Sequence, residues 1–342
     1  MKQELSAAII GLGVGKQHIK GYQQHPNSRV LSVCDLSKKK LSNIAKEYPD
    51  FEITTNADDI FNNPGIDIVS IASYDNYHYD HIIKAIKKNK HVFVEKPLCL
   101  YEHEAKHIYT LLLENKNIKL SSNLILRKSP RFLYLRELIH SQELGEIFYI
   151  EGDYNYGRLE KIVNGWRGKI EFYSVVYGGG VHIIDLIHWL TSEKIVEVTA
   201  YGNNIASQKT SFKFNDMVVC IFKFSNGMIG KMSVNFGCVY PHFHALSVYG
   251  TKATFQNTKD FGLLFTSTNS DATPKTIYAP YPGTHKSDLI YSFIESILAN
   301  DPTKMEVTPK DVFDTMAVCF AIEKATISDT CVSVDYFEET FS

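Results

Sequence analysis

"AAIIGLGVGKQHIKGY", residues 7–22, decides how the rest of the chain is read. A short apolar run ends at Gly11, and a helix opens a few residues later. A dinucleotide-binding turn of this kind carries G-x-G-x-x-G, because glycines let the backbone approach a pyrophosphate and let the helix pack on the strand. Gly11 and Gly13 fit that pattern, with Val14 next to them. The third slot holds Lys16, and the glycine comes one place early, at Gly15. An ordinary tight turn between strand and helix would also use glycines, so the neighbouring segments carry the decision. The next apolar run, "VLSVCD", ends in Asp35, 24 residues after Gly11. A carboxylate there holds the ribose hydroxyls of a dinucleotide. It also repels a 2′-phosphate, which favours NAD, while the run Lys38-Lys39-Lys40 leaves NADP open. Gly11, Gly13, Val14, Gly15, Lys16 and Asp35 are therefore the expected cofactor-binding residues, with Lys16 reaching towards a phosphate from the helix start. The competing reading is a bare turn followed by an acid in a surface loop.

The pattern repeats downstream. "SKKKLSNIAKEY" places Leu41, Ile44, Ala45 and Tyr48 at helical spacing behind Ser37 as N-cap. "IDIVSIAS", "HVFVEKP" and "IKLSSNL" are apolar strands, separated by the helices "YHYDHIIKAIKKNK" and "YEHEAKHIYTLLLENK". Apolar strands alternating with amphipathic helices predict βαβ units in a parallel sheet covered on both faces. After residue 121 the pattern changes. "EIFYIEGDYNYG", "IVEVTAYGN", "DMVVCIFKFSNG", "MIGKMSVNFGC" and "FHALSVYG" are strands with short connections, and "SNG" at 225–227 reads as a hairpin turn. Helices are predicted in "SDLIYSFIESILAN" and in "TPKDVFDTMAVCFAIEKATI", the latter with Thr308 as N-cap and Pro309 at its first position. The expected architecture is α/β: a doubly wound N-terminal domain over residues 1–121 and an α+β domain over 122–342 on a large, mostly antiparallel open sheet. The late helix, 308–327, is able to pack back on the first domain.

The chain has 342 residues, 44% hydrophobic and 22% charged, with a net charge of −2. That balance gives no electrostatic reason to expect nucleic acid or an anionic membrane. No apolar run approaches membrane-spanning length, and "MKQELS" is not a signal peptide. The six cysteines lack C-x-x-C spacing, which suggests free thiols in a reducing cytoplasm. His81, His103 and His107 have no convincing carboxylate partner in spacing, and no metal is expected.

At "HVFVEKPL" the chain comes to resemble the Gfo/Idh/MocA oxidoreductases, the glucose–fructose oxidoreductase and inositol dehydrogenase family. "GLGVGKQH" resembles that family's glycine loop followed by a histidine, "LGEIFYIEGDY" the start of its second domain, and "GGGVHIIDLIHWL" its G-x-H-x-x-D-L helix. The likeness runs through nearly the whole chain. It implies a Rossmann domain, NAD(P), a sugar, cyclitol or nucleotide-sugar substrate, and dimers or tetramers assembled through the sheet face. Hydride transfer to or from a hydroxyl or keto group is the implied reaction. Two other uses of the scaffold are an NAD-binding regulator without turnover and an NAD-dependent glycosidase.

The resemblance also assigns residues. Lys96 ends a parallel strand, where ligands of such sheets bind, and an ammonium there stabilises a developing alkoxide. His182 matches the catalytic histidine, and Asp185, three residues on, lies on the same helix face to orient its ring. Ser73, Asn76 and His78 match a cofactor-contacting loop, and Glu95 joins them through the E-K-P motif. Asn123, Arg127 and Arg131 after the crossover strand, and Tyr156, Arg158, Trp166 and Arg167 before the histidine helix, are substrate-binding candidates. Arginine grips phosphate and an aromatic ring stacks on a sugar. The family often has aspartate four residues before its histidine, but this chain has Gly178, so one corner of a Lys-Asp-His set is absent. Glycines 178–180 suggest either a backbone held close to ligand or a flexible loop.

Overall fold

The computed structural model describes residues 4–337. It divides into two compact units: residues up to 125 with 285–313 and 337, and residues 126–284 with 314–336.

In the first unit, β1 (Leu5–Ile10), β2 (Ser28–Cys34), β3 (Glu52–Thr54), β4 (Ile68–Ile71), β5 (His91–Val94) and β6 (Leu120–Ser122) form one sheet in the order β3-β2-β1-β4-β5-β6. Every neighbouring pair is parallel. This is the doubly wound order, and its direction reverses between β1 and β4, where such sheets bind ligands. The connections carry α1 (His18–Gln24), α2 (Lys38–Glu47), α3 (Ala57–Asn62), α4 (His78–Lys87) and α5 (Glu102–Glu114). All six residues of β1 are buried, as expected for a strand with helices on both faces. Ser37 caps α2, accepting a hydrogen bond from the Lys40 amide. The short β3 and α3 have no counterpart in the sequence reading. The three side chains of β3 are exposed or half-exposed, so they leave no apolar signal.

The second unit holds α6 (Pro130–His140), β7 (Ile147–Asn155), α7 (Leu159–Val163), α8 (Val181–Thr191), β8 (Ile195–Asn203), β9 (Met217–Phe224), β10 (Ile229–Asn235), β11 (Phe243–Gly250), β12 (Thr254–Asn257), β13 (Gly262–Phe265) and β14 (Lys275–Ile277). With a late strand, β15 (Val332–Ser333), they make a sheet ordered β14-β13-β12-β11-β7-β10-β9-β8-β15. Only β7 and β10 pair in parallel; the other neighbours are antiparallel. Gly227 makes the β9–β10 turn at φ +90°, a conformation that favours glycine. Alternation is clear on β9: Val218, Cys220, Phe222 and Phe224 are buried, while Val219 and Ile221 face out. The buried face packs on α8, close enough that a Cβ at Gly152 would meet Ile183 at 2.6 Å.

The chain then returns to the first unit. There α9 (Ile290–Leu298) packs on α1, where a Cβ at Gly21 would lie 2.9 Å from Ile290 and His25 Nε2 lies 2.8 Å from Glu295 Oε1. The last helix, α10 (Pro309–Ser328), starts with a reciprocal cap. The Asp311 amide donates to Thr308 Oγ1 (3.2 Å), and the Thr308 amide donates to Asp311 Oδ2 (2.8 Å). Residues 309–313 of this helix belong to the first unit and the rest to the second. The sequence boundary at 121–122 differs from this division, because helical periodicity shows that 290–298 is amphipathic but not which sheet it covers.

Arg131 fastens the second unit internally. It is buried, and its guanidinium donates to Ala279 O (3.0 Å), Asn257 Oδ1 (2.9 Å), Thr258 O (2.7 Å) and Asp260 O (2.9 Å) while lying over the Tyr281 ring. Grouped by sequence with the ligand-gripping arginines, it grips its own chain instead. Arg131→Met leaves three carbonyls and an amide oxygen without their donor. It is expected to lower unfolding stability by roughly 3–5 kcal/mol. A urea midpoint corresponding to a loss under about 1 kcal/mol would contradict this role.

Candidate active site

In the first unit the glycines have separate tasks. Gly11 sits at φ +94°, and a Cβ there would lie 2.3 Å from the Ala72 carbonyl oxygen at the end of β4. Gly15 is a packing glycine: its Cβ would press on Ile9 Cγ2 at 2.9 Å and Ala72 Cβ at 3.0 Å. It performs the helix-to-sheet function of the third fingerprint glycine from one position earlier. Gly13 has nothing within 4 Å of its missing Cβ, so the backbone there is open to an approaching group. Asp35 stands at the end of β2 with both oxygens engaged. Oδ2 accepts from the Leu12 amide (2.7 Å) and Lys40 Nζ (3.0 Å), and Oδ1 from the Ser37 amide (2.8 Å). Burial alone would raise its pKa, but the bonds from Ser37, Lys40 and Leu12 outweigh it and hold the carboxyl below its ordinary value. An open glycine turn at the sheet's switch point, followed by an ionised acid on the adjacent strand, fits a dinucleotide. Lys16 is less direct than its position suggests, since its ammonium sits 2.7 Å from Glu47 Oε2 on the surface.

The β4 loop departs further from expectation. His78 is fully buried, with Nδ1 2.7 Å from the Pro97 carbonyl and Nε2 3.2 Å from the Ser73 carbonyl. It ties two loops together instead of reaching into solvent for a cofactor. Ser73 Oγ is 3.1 Å from His81 Nδ1, and Asn76 is exposed in a short turn.

Lys96 is half-buried at the carboxyl end of β5, between the buried Glu95 and Pro97. Glu95 Oε1 accepts from Asn123 Nδ2 (2.7 Å) and lies 3.2 Å from His18 Nε2, whose Nδ1 is 2.9 Å from Ser70 Oγ. Asn123 Nδ2 also donates to the Lys286 carbonyl (3.0 Å). Burial pushes Glu95 up, but the Lys286 charge, the bonds from His18 and Asn123 and the His18 charge hold its carboxyl well below the usual range. The sequence reading gave Glu95 to the cofactor and Asn123 to the substrate. Both are instead occupied beneath Lys96, in a network buried from solvent.

In the second unit, residues 176–180 form a π-helical turn that runs directly into α8. Ser174 Oγ caps it, accepting from the Val176 (3.0 Å) and Tyr177 (3.3 Å) amides and donating to Glu323. The glycines 178–180 are buried there, so the flexible-loop reading fails. A Cβ at Gly179 would strike the Tyr154 ring at 2.5 Å, and one at Gly180 would strike Val234 at 2.8 Å. They bring this turn close to aromatic and aliphatic side chains of its own unit. Wide turns of this kind recur at functional sites.

His182 follows on α8 and is 5% exposed. Its ring lies 6.4 Å from Tyr154, nearly parallel, and 6.3 Å from His244, perpendicular. His242 stands 5.0 Å from His244 and 5.5 Å from Tyr156. Tyr156 packs on Phe236 under the Arg158 guanidinium, and Arg167 covers Trp166. His244 is held firmly. Tyr281 Oη lies 2.6 Å from its Nδ1 and accepts from its backbone amide (2.8 Å), and Asn257 donates to its carbonyl (2.8 Å). Burial raises the Tyr154 pKa, with Tyr156 adding and Arg167 and Arg158 opposing. Burial likewise raises Tyr281. Both phenols stay protonated at neutral pH. Asp185 is held by Arg127, which donates from Nε (3.0 and 3.1 Å) and Nη2 (2.6 Å). Both are buried, so Arg127 grips a carboxylate of its own unit and not an anion from outside.

The sequence reading passed over His244, Tyr281, Tyr154, His18 and Lys286 as site residues. His242 and His244 carried a usable signal, two imidazoles at strand period in "HFHALSVYG", residues 242–250. The others meet their partners only through the fold. Among the described residues there is no cluster of His, Cys, Asp and Glu suited to a metal ion and no helix long and apolar enough to cross a membrane.

Residues 5–123 match the model of an oxidoreductase family with an NAD-binding Rossmann fold, and residues 132–256 match the GFO/IDH/MocA C-terminal domain. The chain is 24% identical over 258 residues to the inositol 2-dehydrogenase of Salmonella typhimurium, covering 72% of each chain. It shares its fold with scyllo-inositol dehydrogenase from Lactobacillus casei, solved with bound NAD(H) and scyllo-inositol. The TM-score is 0.79 and the identity 19%, over 97% of this chain and 99% of that one. It also shares it with a levoglucosan dehydrogenase solved with NADH and levoglucosan, at TM-score 0.83 and 19% identity over 98% and 100% of the two chains. With both domains matched in sequence order, and with the glycine turn, the E-K-P strand end and the histidine helix in place, the chain belongs to the Gfo/Idh/MocA family of NAD-binding oxidoreductases.

Proposed function

We propose that the chain transfers hydride between NAD and a ring hydroxyl, or its keto form, on a cyclitol or sugar. The observation that carries this reading is Lys96. It is the one half-exposed residue in the buried run from Val92 to Leu100, and it lies at the strand end of a sheet whose glycine turn fits a dinucleotide. The named relatives act on polyols, which supports that substrate class. When bound, NAD supplies the ring carbon that exchanges hydride with the substrate. The backbone at Gly11, Gly13, Val14 and Gly15 approaches its pyrophosphate, and Asp35 takes its ribose hydroxyls. Lys16 can be drawn from its exposed pair with Glu47, since solvent screens a surface pair and holds it only weakly. Lys96 polarises the substrate oxygen and stabilises the charge that grows on it. His182 takes the hydroxyl proton during oxidation and returns it during reduction. Tyr156 and Arg167, which precede the histidine helix in the chain, supply a face and a cation for the substrate ring.

We also assign self-association to the outward face of the large sheet. Tyr201, Val219 and Ile221 are neighbours there and are 63%, 37% and 56% exposed. Apolar side chains grouped on an open face mark an interface. Ile221→Asp is expected to shift the mass measured by light scattering from a dimer or tetramer towards the monomer; an unchanged mass would reject this surface.

Two enzymatic tests follow. Lys96→Ala and His182→Gln are each expected to lower kcat by about 10²- to 10⁴-fold while leaving NAD binding by calorimetry intact. Wild-type turnover in either variant under saturating substrate removes that residue from the mechanism. Gly13→Val should keep the melting temperature and weaken NAD at least about tenfold, since it fills only the open approach. Gly15→Val should instead lower the melting temperature, by driving a side chain into Ile9 and Ala72. Equal effects of the two variants on NAD binding and melting would refute this division.

A further inference from the structure

The turn ahead of His182 has a side-chain position that carries no side chain of its own. A Cβ built on Gly178 would lie 2.0 Å from the Tyr173 hydroxyl oxygen and 2.8 Å from its Cζ. The phenol therefore fills the space a residue at 178 would use. Position 178 is four residues before 182, and residues so spaced in helical backbone share a face. That places the Tyr173 hydroxyl on the face of this helix that carries His182. We propose that Tyr173 is the positioning residue for His182: its hydroxyl acts as the polar group beside the imidazole that a side chain at 178 would otherwise supply. The inference rests on the role given to His182 above.

The phenol is aimed by its surroundings. Tyr173 is 2% exposed, and its ring sits 6.1 Å from Phe212 and 6.4 Å from Phe236. Phe236 in turn lies against Tyr154, the ring stacked beside His182. The next residue, Ser174, is fixed by its bonds to two helix amides and to Glu323, and its carbonyl accepts from the Gly178 amide at 2.9 Å. The backbone that delivers the phenol is thus tied to the backbone of the glycine whose space it fills. A neutral hydroxyl can donate to or accept from an imidazole without adding a charge among the buried aromatic rings around it. Gly178 and Tyr173 are a matched pair, since any residue larger than glycine at 178 displaces the phenol.

The test uses the full-length protein with NAD and the polyol that it turns over best. Tyr173→Phe keeps the ring and removes the oxygen. It is expected to lower kcat at least about tenfold, with KM changed less than about threefold and the melting temperature nearly unchanged. Tyr173→Ala should lose as much or more, and the double variant Tyr173→Ala/Gly178→Asp should recover at least about fivefold of that loss, because a carboxyl group then occupies the vacated space. A merely structural tyrosine would not be rescued by an acid at 178. Wild-type kcat in Tyr173→Phe, or an unrescued double variant that is folded by melting temperature, overturns the proposal alone. A wild-type protein that binds NAD and turns over no polyol overturns the functional reading and this proposal with it.

Discussion

The close approach of Gly11 to Ala72 is the constraint on which the first unit turns. At 2.3 Å from a carbonyl oxygen, the place of the missing Cβ leaves no room for any side chain, and φ of +94° favours glycine on its own account. This contact draws the ends of β1 and β4 together where the strand order reverses. It fixes where the chain must turn outward, so Gly13 lies over open space and Gly15 can seat the following helix on Ile9 and Ala72. A loop that departs from the usual glycine spacing thereby keeps all three glycine functions.

Behind that turn the sheet carries a buried polar network, an unusual choice for a parallel core. Glu95 is ionised between His18, Asn123 and the charge of Lys286. A buried carboxylate is tolerated only when its oxygens are satisfied and its charge is met. Here the hydrogen-bond partners come from the start of α1 and the end of β6 and a countercharge from the segment before α9, so the strand end that carries Lys96 is braced on three sides. The second unit uses the same device around His244, where Tyr281, Asn257 and Arg131 lock one strand end. In both units a largely apolar architecture concentrates its buried polar groups behind a half-buried or buried candidate side chain.

What was legible in the sequence was local. The glycine turn, Asp35 at the end of its strand, the strand that stops at Lys96 and the cap of α10 each depend on residues a few places apart, and each was found where spacing put it. Long-range features were not legible. Nothing in "EIT" announces β3, because its side chains are not buried. Spacing set Asp185 beside His182, but it could not reveal that Arg127, 58 residues away, holds that carboxylate. Arg127, Arg131, His78 and Asn123 are read as ligand-facing from their place after sheet strands and from the family resemblance, neither of which shows what each side chain touches. All four are buried, and their partners lie on other elements. The phenol in the space of Gly178 was invisible for the same reason, since an absent side chain signals room but not what fills it.

The return of residues 285–313 to the first unit has a consequence for the order of synthesis. Asn123 bonds to Lys286, Ser121 to Val307, and α1 is covered by Ile290. The Rossmann sheet is complete by residue 122, yet these closures await a segment made more than 160 residues later. A nascent chain therefore emerges with one flank of its nucleotide-binding unit bare until that later segment has been made. Contacts so far apart in sequence slow folding and leave apolar surface open to chaperones and to other chains. The segment that closes the first unit thus also sets the earliest point in synthesis at which that unit can be complete.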